Sequence, residues 1–236
     1  MQTNDFLISR GILSQYLAEA GENGQYSITI PAGVRTIGAE VFQNRNDLGE
    51  VTIPGHVSTI RKWAFAGCES LQAVNLGIGI TTIGDYAFNF CRQLESVEIP
   101  PSVSDIGKDV FAGCFNLRSV TIPDGVTVIP NNAFFRCGFH SITLPRYTQS
   151  IGKGAFSFSG LRSIEIPDQV TTIGAEAFAY CYNLERIVIP ASVTSIGKNA
   201  FHECSNLTIY APAGSYAAEY ATSPYAKKQR IAFCPL

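Results

Sequence analysis

The chain repeats a motif of the form I-P-x-x-V-x-x-I-G-x-x-A-F-x-x-C eight times, once every 22 or 23 residues. The phenylalanine of each copy marks the period, at Phe42, Phe65, Phe88, Phe111, Phe134, Phe156, Phe178 and Phe201. A fixed period of this length is typical of a solenoid, because a single unit cannot bury its apolar face without its neighbours. We therefore predict one continuous stack for the 236 residues, in place of two globular domains.

Each predicted unit begins with a short strand. In the unit that starts at Leu94, Val97 and Ile99 stand two apart, so both side chains point to the same face. Pro100 ends the strand, because proline has no N–H for a parallel ladder. A second inward-facing apolar pair follows, and then Gly107, which we expect to permit a tight turn or a positive φ. One 3₁₀ or helical turn then carries the phenylalanine inward.

The predicted fold class is an α/β repeat solenoid, a right-handed stack of eight 22–23-residue units with parallel short strands, 3₁₀ or short helical turns and capped ends. We place the eight units in residues 26–207 and the two caps in residues 1–25 and 208–236. The N-terminal cap supplies an apolar set, Phe6, Ile8, Ile12, Leu13, Tyr16 and Leu17. In the C-terminal cap, Ser215 is expected to begin a short helix, and Ile231 and Phe233 to lie on a final strand. We expect the chain to be a complete capped domain.

Two of the units are one residue shorter than the others. Cys137-Gly-Phe-His and Ser159-Gly-Leu-Arg each lack one residue between the cysteine position and the leucine position. Glycine stands at both deletions, as expected where the chain turns more tightly. We expect a local change of curvature between about residues 137 and 165.

The composition excludes several classes of function. A net charge of −2 with 15% charged residues lacks the basic stripe that nucleic-acid binding requires. Apolar runs stay shorter than the roughly 18 residues of a membrane span. The first 21 residues lack the pattern of an export signal, so we expect that this chain is not a secretory precursor.

Six of the seven cysteines share one position of the unit, at Cys68, Cys91, Cys114, Cys137, Cys181 and Cys204. A metal-binding or redox-active column and a column of small buried residues both fit this spacing. We favour burial, because the period itself explains the spacing and zinc ligands stand two to four residues apart. Cys234 lies outside the column and is expected to be the most exposed thiol.

Catalytic residues are not apparent in the sequence. The three histidines, His56, His140 and His202, fall at different positions of the unit and are not expected to converge. Glu98 and Glu165 share one strand column but stand three units apart, which is too far for a glycosidase pair. We therefore predict no enzyme, no metal site and no cofactor.

These units resemble the BspA-like leucine-rich repeat family, also called the Treponema pallidum type. The stretch from Val170 to Pro190, V-T-T-I-G-A-E-A-F-A-Y-C-Y-N-L-E-R-I-V-I-P, is similar to the family consensus, and the resemblance covers nearly the whole chain. Residues 6–16 look like the degenerate first unit of the family, and residues 209–221 look like its closing segment. The resemblance implies a non-enzymatic module for protein binding. Family members are bacterial and protist surface proteins, some of which adhere to host extracellular-matrix proteins or to other bacteria.

The outward-facing column of the strands is the first candidate binding surface. It is small and rich in hydroxyl groups, and its candidate residues are Thr52, Asn75, Glu98, Thr121, Thr143 and Glu165. The same residues are what β-propensity alone selects for a half-solvated strand. We favour that second explanation, because no tryptophan, tyrosine or arginine anchor stands on this face.

Aromatic residues outside the framework are the second candidate surface. They occupy positions that the core pattern does not dictate: Phe90, Phe115, Phe135, Tyr147, Phe158, Tyr180 and Tyr182. Clustered exposed aromatics mark interfaces, although single ones also pack over turns. The expected partner is a protein, at the cell surface by resemblance, and the chain is expected to be a monomer or a weak homodimer. An intracellular scaffold is the alternative, and a carbohydrate-binding or enzymatic groove is a weaker one.

Overall fold

The computed structural model describes residues 5–18 and 26–236. Predictions that fall on residues 1–4 and 19–25, which belong to the predicted N-terminal cap, lie outside the described residues. The described chain starts with an antiparallel hairpin of β1 (Phe6–Ser9) and β2 (Ile12–Tyr16). From there on, every strand pairing is parallel, as the predicted stacking of equivalent units requires.

Two parallel ladders run along the stack. The longer strands, which form what we call the strand face, are β3 (Tyr26–Thr29), β5 (Leu48–Ile53), β7 (Ala73–Leu76), β9 (Ser96–Glu98), β11 (Ser119–Thr121), β14 (Ser163–Glu165), β16 (Arg186–Val188), β18 (Thr208–Ala211) and β19 (Ala232–Pro235). The second ladder starts at β2 and continues with the two-residue strands β4 (Thr36–Ile37), β6 (Thr59–Ile60), β8 (Thr82–Ile83), β10 (Asp105–Ile106), β12 (Val128–Ile129), β13 (Ser150–Ile151), β15 (Thr172–Ile173) and β17 (Ser195–Ile196).

The core is a column of stacked phenylalanine rings between the ladders. All eight predicted anchors are fully buried. Rings in neighbouring units lie 4.9–5.9 Å apart between centroids, with planes within 10° of parallel. The strand anchors, such as Val97 and Ile99, are buried beside them. The predicted solenoid is confirmed, and its periodic residues are framework.

The segment around each phenylalanine consists of successive turns and contains no continuous helix in the described residues. Some N–H groups close 3₁₀-type turns, as where Ala112 N–H donates to the Asp109 carbonyl at 3.2 Å. Others donate to the next unit, as where Phe111 N–H donates to the Ala133 carbonyl at 3.0 Å. Left-handed residues make this alternation possible: φ is 54° at Asp109 and 77° at Gly113. All eight units have positive φ two residues before and two residues after the phenylalanine.

Of the two roles expected for Gly107, a tight turn or a positive φ, the positive φ is wrong. Gly107 is absent from the left-handed residues, and its role is close contact between units. A Cβ on Gly107 would stand 2.2 Å from the backbone nitrogen of Asp85 in the preceding unit. The equivalent glycines, Gly84, Gly152, Gly174 and Gly197, would also place a Cβ within 2.7 Å of the preceding backbone.

The cysteine column is buried framework, as predicted. All seven cysteines are free thiols, and Cys234 is the one that is partly exposed. Each buried thiol of the column donates to a phenylalanine carbonyl, as Cys91 Sγ does to Phe65 at 3.2 Å. Burial raises the pKa of Cys114 to about 12 and that of Cys181 to about 11, so both stay protonated at neutral pH.

Ring contacts cover the core at both ends. Tyr16 packs between Phe6 and Phe42, with ring centroids 5.0 and 5.1 Å away. Two other members of the predicted N-terminal set, Ile8 and Leu17, are exposed.

At the other end, α1 (Tyr216–Thr222) and α2 (Pro224–Lys228) follow the last unit. Ser215 caps α1 as predicted, since its Oγ accepts the Ala218 N–H at 3.3 Å. The final strand β19 contains Phe233 as predicted, but it begins after Ile231, which was also placed on it. The domain boundaries at residues 25 and 207 stay a prediction.

Both ladders are interrupted at the short units. The strand face breaks between β11 and β14, and the second ladder breaks between β10 and β12. Residues 141–144, which take the place of the missing strand, make no backbone hydrogen bond to any described residue. The break in the strand face overlaps the range in which the deletions predict a change of curvature, whereas the break in the second ladder lies before that range.

Candidate functional site

A hollow of about 480 Å³ opens where the two short units lie next to each other. We call it the aromatic notch and define it by its lining residues, Phe115, Arg136, Cys137, Gly138, Phe158, Ser159, Gly160, Tyr180, Tyr182 and Asn183. Four of the seven predicted partner-binding aromatics belong to this set. The predicted deletions and the predicted aromatic surface therefore meet at one place.

The deletions create the notch. After the cysteine position, the short units have a single glycine, Gly138 or Gly160, where the flanking units have two residues that begin with Phe115 or Tyr182. A Cβ on Gly138 would stand 2.2 Å from the Phe115 carbonyl oxygen, so the chain passes too close for any side chain. The floor therefore lacks side chains at both glycines, and Phe115 and Tyr182, 42% and 55% exposed, form its walls.

Three of the four aromatic rings of the notch contact one another in a row, which Phe135 extends at one end, whereas Phe115 stands apart from it. Phe158 and Tyr180 stack with centroids 4.4 Å apart, and Phe135 and Tyr182 pack edge-on against the two ends of this pair, at 5.6 and 6.2 Å. Phe158 and Tyr180 have φ of 59° and 60°, a conformation that bulky residues rarely adopt. The stack of units imposes this φ in every unit, and at these two positions it places large rings side by side.

The remaining predicted aromatics lie outside the notch. Phe90 is 42% exposed. Phe90 and Phe115 share a contact with Arg92, whose guanidinium carbon lies 5.9 and 5.8 Å from the two ring centroids. Tyr147 is 50% exposed but lies at the strand face, where Arg146 covers its ring at 4.6 Å. The structure thus brings the predicted aromatics together except for Tyr147.

Arg136 is a residue of the site that the sequence predictions missed. Its guanidinium carbon lies 5.3 Å from the centroid of Phe135 and 5.0 Å from that of Phe158. It occupies the same position of the unit as Phe90, Phe158 and Tyr180, two residues after the phenylalanine. This shared position could have predicted the contact from the sequence, because a cation in a column of aromatic residues is positioned for cation–π contact.

The strand face opens at the same two units. A groove of about 690 Å³ separates residues 141–144 from β14, and one of about 490 Å³ separates them from β11. Among the strand-face candidates, Thr121, Thr143 and Glu165 line these grooves. The others, Thr52, Asn75 and Glu98, lie on the continuous part of the ladder, where the Asn75 amide donates to Glu50 at 2.9 Å.

Phe139 gives the physical reason for the opening. It takes the position that leucine occupies in the other units, and it packs edge-on between Phe134 and Phe156, at 5.9 and 6.3 Å. The Phe139 ring is larger than leucine, and this unit has one residue fewer before its strand position. Segment 141–144 therefore cannot keep the register of the neighbouring strands. The widest spacing in the phenylalanine column, 5.9 Å between Phe111 and Phe134, lies beside it.

Glu165, the charged candidate in the larger groove, forms an ion pair with Arg186 at 3.3 Å. Groups of three or more histidine, cysteine or acidic residues suited to a metal ion do not occur among the described residues. Helices of the described chain are also too short to cross a membrane.

The comparison with known families decides what the stack is. The model of the BspA type leucine rich repeat region matches in six copies, over residues 22–140 and 127–216, which together span most of the chain. The chain belongs to the BspA-type leucine-rich repeat family. Members of this family are often associated with the cell surface.

Several solved protein structures share the architecture of this chain. A leucine-rich repeat protein from Bacteroides ovatus is 25% identical, with a TM-score of 0.61 over 84% of this chain and 72% of that one. The Treponema pallidum leucine-rich repeat protein is 24% identical, with a TM-score of 0.61 over 88% and 90% of the two chains. The pneumococcal vaccine antigen PcpA is 18% identical, with a TM-score of 0.56 over 89% and 81%. Among curated proteins, none matches the chain.

Proposed function

We propose that this BspA-type chain is a non-enzymatic binding module that holds a protein partner at the aromatic notch. The observation that carries the proposal is the row of contacting aromatic rings at the place where the repeat is interrupted. A surface that only covers the core would follow the period, whereas this cluster stands where the period fails. Tyrosine and arginine are enriched among the residues that dominate binding energies, and the notch contains both.

The geometry of the notch suits a side chain of a partner protein. Its walls, Phe115 and Tyr182, are rigid aromatics that lose little conformational entropy on binding. Its floor passes through Gly138 and Gly160, so a partner group can approach the backbone closely. We propose an extracellular-matrix protein or a bacterial surface protein as the partner, because family members are often surface-associated.

A second candidate function is an intracellular scaffold. It is favoured by the seven free thiols, since disulfides form in oxidising compartments and none is present among these cysteines. Fractionation of the native organism, with an antibody to this chain, separates the two functions. Signal at the cell surface supports the first, and signal confined to the cytosol supports the scaffold.

The binding proposal is tested with a panel of extracellular-matrix proteins and purified bacterial surface proteins, immobilised on a biosensor. Phe115→Ala combined with Tyr182→Ala removes both walls. We expect the affinity for the partner to fall at least about thirtyfold, the equivalent of roughly 2 kcal/mol for two anchor residues. The melting temperature is expected to change little, because both side chains are about half exposed.

Tyr216→Ala is the matched control, because Tyr216 is 43% exposed and lies outside the notch on α1. Phe158 and Tyr180 are less suitable targets, since they stack on each other and their removal also lowers stability. The proposal is wrong if the control weakens binding as much as the double variant does, or if the double variant binds like the wild type.

A further inference from the structure

We infer that the aromatic notch recognises a carboxylate of its protein partner, and that Arg136 is the residue that binds it. This inference rests on the proposed function of the notch as a protein-binding site. The partner segment it calls for is acidic, with an aspartate or glutamate beside an apolar residue. The carboxylate pairs with the guanidinium, and the apolar residue packs against the aromatic walls.

Arg136 is held in place with its charge unsatisfied. Its guanidinium lies against both Phe135 and Phe158, whose rings also contact each other, and its side chain is exposed at the notch. Within residues 5–18 and 26–236, it has neither an acidic partner nor a hydrogen-bond acceptor. A guanidinium has five N–H donors arranged to match a carboxylate, and contact with two rings leaves those donors at its edge free.

The chain contains a completed version of the same arrangement. Arg92 also lies near two rings, those of Phe90 and Phe115, with distances of 5.9 and 5.8 Å to their centroids. There, Glu69 supplies the carboxylate, with its Oε1 3.3 Å from Arg92 Nε. Arg136 therefore has the aromatic setting of Arg92 but lacks the equivalent of Glu69.

The charge of the notch favours an acidic occupant. Its ten lining residues include one cation, Arg136, and none of them is acidic. A basic partner segment would meet Arg136 with no compensating carboxylate in the lining.

The test uses the intact chain and a phage-displayed library of random peptides, selected on the wild type. Clones that also bind the Phe115→Ala, Tyr182→Ala variant are discarded. We expect the enriched peptides to share an aspartate or glutamate next to an apolar residue. For a synthetic peptide of the enriched sequence, changing its acidic residue to the amide is expected to weaken binding about tenfold, as for the loss of a hydrogen bond to a charged group.

Two arginine variants locate the effect. Arg136→Gln should bind the acidic and amide peptides equally, whereas Arg92→Gln should keep the tenfold preference of the wild type. Neutral or basic enriched peptides, or a preference that survives Arg136→Gln, overturn the carboxylate inference and leave the proposed function standing. If no notch-dependent peptide is enriched and heparin binds through Arg136 instead, the inference and the protein-binding proposal are both overturned.

Discussion

Gly107→Ala tests whether the units need a glycine after the second-ladder strand in order to stack closely. The added Cβ would stand 2.2 Å from Asp85 N and 2.5 Å from Asp85 Cα, about 1 Å short of ordinary contact. These are backbone atoms, so neither can rotate away. Two hydrogen bonds are then strained: Gly107 N–H to the Ile83 carbonyl at 2.7 Å, and Lys108 N–H to Asp85 Oδ1 at 2.9 Å.

The expected cost follows from those contacts. Overpacking against fixed atoms costs about 1–3 kcal/mol, and each weakened hydrogen bond adds about 0.5–1.5 kcal/mol. Removing glycine from the unfolded chain returns about 0.4–1 kcal/mol. The net loss is about 3 kcal/mol, which corresponds to a fall of roughly 6–12 °C in melting temperature for a chain of this size.

Gly55→Ala is the control for Gly107→Ala. Its Cβ would meet nothing closer than Ile78 Cγ1 at 3.7 Å, and Gly55 does not have a positive φ. We expect its melting temperature, followed by far-ultraviolet circular dichroism, to equal or slightly exceed that of the wild type. Equal melting temperatures for the two variants would refute the close-stacking argument.

Three further predictions concern the backbone and the thiols. In hydrogen exchange, the Ile122 and Leu144 amides are expected to exchange at least about 100-fold faster than Ile99 and Ile166, which donate to Thr121 and Val188 at 3.1 and 2.9 Å; equal protection would show that the strand face is continuous. In thiol titration at pH 8, one fast-reacting thiol is expected in the native chain and seven after denaturation; a lower denatured count would reveal a disulfide. Because burial raises the pKa of Cys114 from 9.0 to about 12, the folded state favours the neutral thiol, and stability should fall as pH rises from about 9 towards 12; constant stability there would contradict the burial.

The periodic part of the fold could be predicted because each periodic residue does the same thing in every unit. The spacing of the phenylalanines identifies the solenoid, and the resemblance identifies the family. The same reasoning placed Ser215 at a helix start, since capping depends on the local sequence.

The turns around each phenylalanine could not be read in the same way. Trp63 and Phe158 have left-handed φ, which no propensity assigns to aromatic residues. The hydrogen bonds to the next unit impose that conformation, so it is a property of the stack. The role of Gly107 was missed for the same reason, because the atoms that exclude its side chain belong to the preceding unit.

The candidate site was predicted in part. The deletions after Cys137 and Ser159 and the aromatic column pointed to the stretch of chain that forms the notch, but as two separate features. The role of Arg136 was not predicted, because its contacts with Phe135 and Phe158 form only when the units are stacked. The interruption of the strand face was not predicted either, since it depends on how the Phe139 ring packs within the core.

The central claim is that the two short units build the recognition site, and restoring their length tests it most directly. One asparagine is inserted between Gly138 and Phe139 and one between Gly160 and Leu161, as in the flanking units that contain Asn116 and Asn183. The measurement is the affinity of this repaired chain for the protein partner found in the biosensor panel, compared with the wild type. We expect a loss of more than about tenfold with a melting temperature that is equal or higher. Unchanged affinity in a folded repaired chain would contradict it.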